Sequence, residues 1–185
     1  MRENKNANQQ QGRRRPEWKE KTIRYTLQPN AKAPEYAYGG SKENSGLDLC
    51  AYKVIKYPSK DIIDLTVEGT VAVLNPGERC LVQTGVNLKL FPGLEGQVRS
   101  RSGLALKNGI IVLNSPGTID SSYTGDVGVI LYNAGEEPFK IELHDKIAQL
   151  VFMNYVPAKL IKVDSITGYT QRGKAGFGST GVTNK

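Results

Sequence analysis

Histidine occurs once, at His144, and cysteine twice, at Cys50 and Cys80, in a chain of 185 residues. One imidazole excludes any mechanism that needs several within the chain. Two cysteines far apart, with no CxxC pair, give no support to a zinc site or a disulfide framework. Both read as small buried strand residues, and His144 reads as a turn residue. No apolar run approaches the roughly 20 residues that a membrane span needs; Gly109 to Leu113 and Ile147 to Met153 are far shorter. The N-terminus lacks the apolar stretch of a secretory signal, so an intracellular location, cytoplasmic or nuclear, is the expectation. No period of 20 to 50 residues repeats, which excludes solenoids and propellers.

What is present fits one domain with a real core, since 38% of residues are hydrophobic. The net charge is +7, much of it from Arg13, Arg14, Arg15, Lys19 and Lys21. Before that block, residues 1–12 form an Asn/Gln-rich run too polar to offset the entropy of ordering it. Residues 1–21 are therefore expected to be a disordered basic tail, read either as a solvated arm or as a nucleic-acid or targeting patch.

From Thr22 onward short β-rich runs alternate with glycine, proline and asparagine, and no long segment has a 3.6-residue apolar period. The expectation is an all-β domain over residues 22–168, a jelly roll or barrel. Its candidate strands are Ile23 to Leu27, Leu47 to Tyr52, Val67 to Leu74, Arg79 to Gln83 and Val86 to Leu90. Further along come Glu95 to Arg99, Gly109 to Leu113, Val127 to Tyr132, Phe139 to Leu143 and Lys146 to Tyr155. Turn signals such as Asn75-Pro76-Gly77 and Asn133-Ala134-Gly135 separate them. One short helix is expected over Ser102 to Asn108, with Ser102 as its cap. The stretch 53–67, which holds Pro58 and mixed charge, reads as a surface excursion, with contact to a partner as the alternative.

Three segments carry chemistry. The tail from Arg172 to Gly181 sets glycines among Arg172, Lys174, Ser179 and Thr180, which suits close approach of backbone amides, hydroxyls and a forked cation to a polyphosphate. A flexible linker is the other reading of such glycine, although Phe177 needs something flat to pack on, and a nucleobase would serve. Arg99-Ser-Arg-Ser-Gly103 runs into the helix start, either a ready anion site or a charged turn. Asn114 to Tyr123 reads as two strand-like runs around a Pro-Gly turn, able to offer backbone donors and acceptors to a flat heterocycle, with Asp120 and Tyr123 beyond it.

Arg101-Ser-Gly-Leu-Ala105 from the second segment, the third taken on to Gly125, and the tail form five ordered motifs together with Ser45-Gly-Leu-Asp-Leu-Cys-Ala51 and Asp145-Lys-Ile-Ala-Gln149. They are similar to those of the trimeric dUTP pyrophosphatase family from about Ser45 to Gly181. The resemblance implies a jelly-roll (β-clip) subunit in a homotrimer, with active sites at subunit interfaces. It implies hydrolysis of dUTP to dUMP and pyrophosphate, with Mg2+ on the phosphate oxygens. That activity limits uracil entry into DNA and supplies dUMP for dTMP synthesis.

Residue by residue, Asp120 matches the carboxylate that orients and deprotonates the attacking water, and Asp48 the acid that contacts the metal through water. Arg101, Ser102, Gly103 and Gln149 match the phosphate-binding set. Asn114, Gly117, Thr118, Ile119 and Gly128 match the uracil-reading hairpin, and Tyr123 matches the ring packed on deoxyribose. Within the expected lid, residues 169–185, Arg172, Ser179 and Thr180 match γ-phosphate contacts, Phe177 the ring stacked on uracil, and Gly178 lies among them. The chain departs from the family pattern at Ser122, where a second acid is common, at Lys174-Ala175, and at His144, where glycine is common. Two other readings stand beside this one. A dCTP deaminase of the same architecture also has a serine-arginine motif, but the Phe177 tail and the Asp120-to-Tyr123 spacing favour the pyrophosphatase. A binding or regulatory protein that keeps the pocket is the other.

Overall fold

The computed structural model describes residues 20–40, 43–166, 168, 170 and 173. Among them the chain forms β1 (Arg24–Leu27), β2 (Glu35–Tyr36), a single helical turn α1 (Ala37–Gly40), β3 (Leu47–Cys50), β4 (Lys53–Lys56), β5 (Ile62–Asp64) and β6 (Ala72–Leu74). There follow β7 (Arg79–Lys89), β8 (Leu94–Arg99), α2 (Ser102–Asn108), β9 (Ile110–Val112), β10 (Gly117–Ile119), β11 (Asp126–Asn133), β12 (Phe139–Ile141) and β13 (Lys146–Asn154). A six-stranded sheet runs β5-β4-β7-β11-β9, with β1 also paired to β7; a second runs β10-β8-β13-β3-β2; β12 and β6 form a ribbon. Every pairing is antiparallel.

Alternation along the strands builds the core. In β11 every second residue is buried, and β8 does the same, so one face of each strand turns inward. Val82, Val129 and Leu131 from the first sheet and Leu49, Val98 and Leu150 from the second join one buried cluster, the packing of a two-sheet jelly-roll body. The expected all-β class is the observed one. Cys50 and Cys80 are buried strand residues, as expected; burial raises both thiols, Cys80 to about 12, so neither forms a thiolate near neutral pH. His144 sits in a turn at φ 69°, the left-handed region where glycine is at ease.

Four expectations need correction. Arg79 to Gln83 and Val86 to Leu90 are not two strands but the single β7. Its Thr84-Gly85 break is an internal irregularity, with Gly85 at φ 71° packed against Ala31 and Tyr52 where a side chain would not fit. The segment 53–67 is not simply a surface excursion: Lys53–Lys56 pairs with β7 and Ile62–Asp64 pairs back on it, and Val54 and Leu65 are buried. Its tip, residues 57–62, and its end at Val67 are exposed. Val67 to Thr70 turns instead of extending, and the strand begins at Ala72. Finally, α2 spans the expected Ser102–Asn108, yet its cap position is Arg101, with no side-chain cap bond.

The chain divides into a unit ending at Tyr155 and a second from Val156 onward. The boundary expected at residue 168 lies within the second unit, whose described residues hold no strand or helix. The tail 1–21 falls outside the described residues except for Glu20 and Lys21.

The β4–β5 hairpin carries a titratable lock. Lys53 Nζ lies 2.9 Å from Asp64 Oδ2, and Thr66 donates its N–H and hydroxyl to Asp64 Oδ1 at 3.1 and 2.7 Å. Lys53, then Thr66, hold the Asp64 carboxyl down at about 2 from an ordinary 3.8. A depressed carboxyl stabilises the fold above its ordinary value and loses that contribution as pH falls toward the folded value. Urea unfolding at pH 4 and pH 2 should therefore show a smaller acid loss of stability for Asp64→Asn than for the parent. Equal losses would show that the lock is inert.

Candidate active site

Two clefts contain the residues singled out by the sequence. The first, of about 390 Å³, is lined by Asn114, Gly117, Thr118, Ile119, Asp120, Tyr123 and Gly128, together with Leu81, Gln83, Val98, Asp126 and Ile130. Its wall is β10, a three-residue strand at the edge of the second sheet, paired only with β8. An edge strand leaves a row of backbone donors and acceptors unpaired on its other side, which suits a flat heterocycle. The turn before it folds Asn114 over Gly117: a Cβ at residue 117 would lie 3.3 Å from the Asn114 amide and 3.4 Å from Val98. Gly128 stands opposite, where a Cβ would come within 2.7 Å of Leu81. Asp120 follows β10 directly and is exposed; among the described residues it makes no ion pair. Its carbonyl accepts the Tyr123 N–H at 3.1 Å, which closes the turn that carries the tyrosine.

The second cleft, of about 510 Å³, is lined by Ser45, Gly46, Asp48, Arg101, Ser102, Gly103, Lys107 and Gln149, among others. It shares no lining residue with the first. Asp48 is buried, with Oδ1 3.1 Å from Arg101 Nε and Oδ2 2.8 Å from Lys146 Nζ. Arg101 also donates to the Lys146 carbonyl at 2.8 Å. One carboxylate thus faces two cations, a net positive charge beside a helix start, where a polyphosphate is favoured. The bond to Asp48 raises the Lys146 ammonium and so keeps it charged. Gln149 donates to the Ser100 carbonyl at 2.9 Å, which locks its amide at the cleft wall, and Ser102 and Gly103 are exposed on the first turn of α2. Every expected residue up to Gln149 therefore falls in one cleft or the other. Arg172, Phe177, Gly178, Ser179 and Thr180 lie outside the described residues.

Two participants were not anticipated. Lys146 lies three residues before Gln149, an odd spacing that in a regular strand points to the opposite face. A register shift between Lys146 and Ala148 brings it round to Asp48. Asp126 lines the first cleft on the same face of β11 as Gly128 and Ile130, beside a register shift whose extra residues lie on β7. Burial pushes its carboxyl up, and the backbone N–H groups of Thr84 and Gly85 oppose this. Bulges of this kind leave no mark in an alternating pattern.

A dUTPase family model matches residues 51–181. The chain belongs to the dUTPase family. It is 44% identical over 152 residues to the deoxyuridine 5'-triphosphate nucleotidohydrolase of Alkaliphilus metalliredigens, covering 82% of this chain and 91% of that one. The relative of the same name from Chlamydia caviae is 47% identical over 162 residues, covering 86% and 98%. Among solved structures, the dUTPase of Staphylococcus bacteriophage 80alpha with dUPNHPP superposes with a TM-score of 0.66 at 26% identity, covering 87% of this chain and 99% of that one. The chain is a dUTP hydrolase.

In this dUTPase Gly46 packs so closely on Gln149 that a Cβ would overlap the Gln149 amide oxygen. Gly46→Ala should displace that amide, with thermal stability changed by no more than about 1 kcal/mol because the neighbour is a movable side-chain end. The KM for dUTP should rise several-fold. An unchanged KM would show that the Gln149 amide does not contact the nucleotide.

Proposed function

We propose that this dUTPase cleaves dUTP to dUMP and pyrophosphate by attack of water on the α-phosphorus, in a homotrimer whose sites form between subunits. The observation that carries this reading is the division of labour between the clefts. The heterocycle-reading strand, Tyr123 and Asp120 occupy one, and the cations and Gln149 occupy the other. A nucleoside triphosphate needs both, and a neighbouring copy that presents its cationic cleft to this chain's nucleoside cleft supplies them together.

Asp120 then orients the water and takes its proton as the new O–P bond forms and the bond to the β-phosphate bridging oxygen breaks. A carboxylate is a weak base, so positioning and charge neutralisation contribute most of the acceleration. Arg101, Lys146 and the helix start hold the phosphates. Magnesium fits this donor set: no group of three or more His, Cys, Asp or Glu among the described residues could cage an ion, and Mg2+ keeps several waters and takes other ligands from phosphates. Asp48 would hold that water shell, and the ion would neutralise the phosphate oxygens. Tyr123 packs on deoxyribose and leaves no room for a 2'-hydroxyl. Arg172, Ser179 and Thr180 hold the γ-phosphate, with Gly178 between them and Phe177 over uracil, as a lid over residues 169–185. The activity limits uracil in DNA and supplies dUMP inside the cell.

Incubation with dUTP, dCTP, dTTP and UTP in Mg2+ should yield the monophosphate and pyrophosphate from dUTP alone; ammonia release from dCTP would instead indicate a deaminase. Asp120→Asn should bind nucleotide normally but lose roughly 10²- to 10⁴-fold in kcat, and near-normal turnover would remove Asp120 from the role of base. Asp120→Asn and Arg101→Ala chains, each inactive, should regain about a quarter of the parent activity when refolded together, because random mixing leaves that share of interfaces with both groups intact. No recovery would place both half-sites in one chain.

A further inference from the structure

Tyr123 is 45% exposed, so core packing does not hold its ring. What holds it is one hydrogen bond: the phenol donates to the backbone carbonyl of Asp126 at 2.7 Å. The glycine between them permits this, since a Cβ on Gly125 would lie 2.6 Å from the phenol oxygen. The position of the ring therefore follows the position of the Asp126 carbonyl.

The sheet pairing here is irregular: Asp126 is paired with Asn87, and the register between β11 and β7 shifts before Gly128 is paired with Gln83. Three bonds that involve side chains brace it at this break. Thr84, 1% exposed, donates its N–H to Asp126 Oδ1 at 3.0 Å and its hydroxyl to the Val127 carbonyl at 2.8 Å. Asn87 donates its amide to the Thr124 carbonyl at 2.9 Å. Residues 124, 126 and 127 are thus each tied to β7, and the tyrosine is tied to residue 126.

We infer that Thr84, Asn87 and Asp126 are positioning residues that set the discrimination between deoxyribose and ribose by fixing the Tyr123 ring. The inference rests on the reading above that Tyr123 packs on the sugar. Excluding a hydroxyl requires a wall that does not yield, and an exposed ring on a loosened tether yields. A change in the clamp is expected to admit the ribonucleotide more than it slows the deoxyribonucleotide.

The test measures kcat/KM for dUTP and for UTP, well below the Tm of each variant, in Tyr123→Phe, Asn87→Ala, Thr84→Val and Tyr123→Ala. Tyr123→Phe keeps the ring and cuts the tether; Asn87→Ala cuts one tie at a partly exposed residue. Each should lower the dUTP-to-UTP preference by roughly ten-fold, the scale of a small steric discrimination. The Tyr123→Phe/Asn87→Ala pair should fall little further than Tyr123→Phe alone, because both act through one ring. If Tyr123→Ala lowers the preference while the tether and clamp variants keep it, the inference is overturned and the role of Tyr123 stands. If Tyr123→Ala itself keeps the preference, the reading of Tyr123 fails and the inference with it. A general loss of stability would lower both rates together and leave the ratio in place, which also overturns it.

Discussion

An eleven-residue strand is too long for one neighbour to serve, and β7 is where this fold resolves that constraint. One of its edges is divided between two partners: β4 takes residues 80–83 and β1 takes residues 86–89. The hand-over occurs at Thr84-Gly85, where the Gly85 carbonyl accepts the Gln28 N–H at 2.8 Å and the Gln83 carbonyl accepts the Tyr52 N–H at 3.0 Å. Gly85 at φ 71° makes the hand-over possible, and only a residue without Cβ fits beside Ala31 and Tyr52. The other edge of β7 carries β11, whose start forms one side of the nucleoside cleft. The irregularity that lets β7 change partners is thus beside the point where β11 changes register, and the same Thr84 serves both.

This explains which parts of the fold were legible in the sequence. Strands that are regular and half-buried, such as β8 and β11, announce themselves by alternation, and α2 by its run of helix formers between Arg101 and Gly109. Thr84-Gly85 fell between two candidate strands because glycine weakens a strand pattern; nothing local distinguishes a break that closes a hairpin from one that passes a strand between partners. The segment 53–67 looked peripheral because Pro58 and the charges at its tip mask Val54 and Leu65, which are buried only through pairing with β7. Ser102 looked like a cap, although the chain places it one position inside the helix and turns Arg101 back to Asp48.

The site was legible to a different degree. Asp120, Asn114, Gly117 and Tyr123 cluster within ten residues, around a short edge strand held by β8. Asp48, Arg101 and Gln149 come from three elements, and only the pairing of β3 with β13 places Asp48 opposite Gln149. Lys146 escaped notice because its place depends on a bulge, and Asp126 because it lies just past the Asn114 to Gly125 segment, on the cleft face of β11 with Gly128. The slip at Lys146 is one residue, and it carries the ammonium to Asp48. Where a strand must present two polar groups at an odd spacing to one face, a slip is the available device.

The two clefts also separate charge in a way that bears on control of the reaction. Asp120 has no ion pair among the described residues, while Asp48 has two cations close by. If both carboxylates shared one cleft, Arg101 and Lys146 would be divided between them. On the proposed mechanism, Asp120 meets positive charge when a nucleotide brings its phosphates across from the cationic cleft. On that mechanism the Asp48 network arranges the phosphate-binding cations in advance, and Asp120 stands in the other cleft with no ion pair among the described residues. Water activation is then coupled to occupancy of both halves, so a bare nucleoside or a free polyphosphate, each filling one cleft, leaves the reacting centre incomplete.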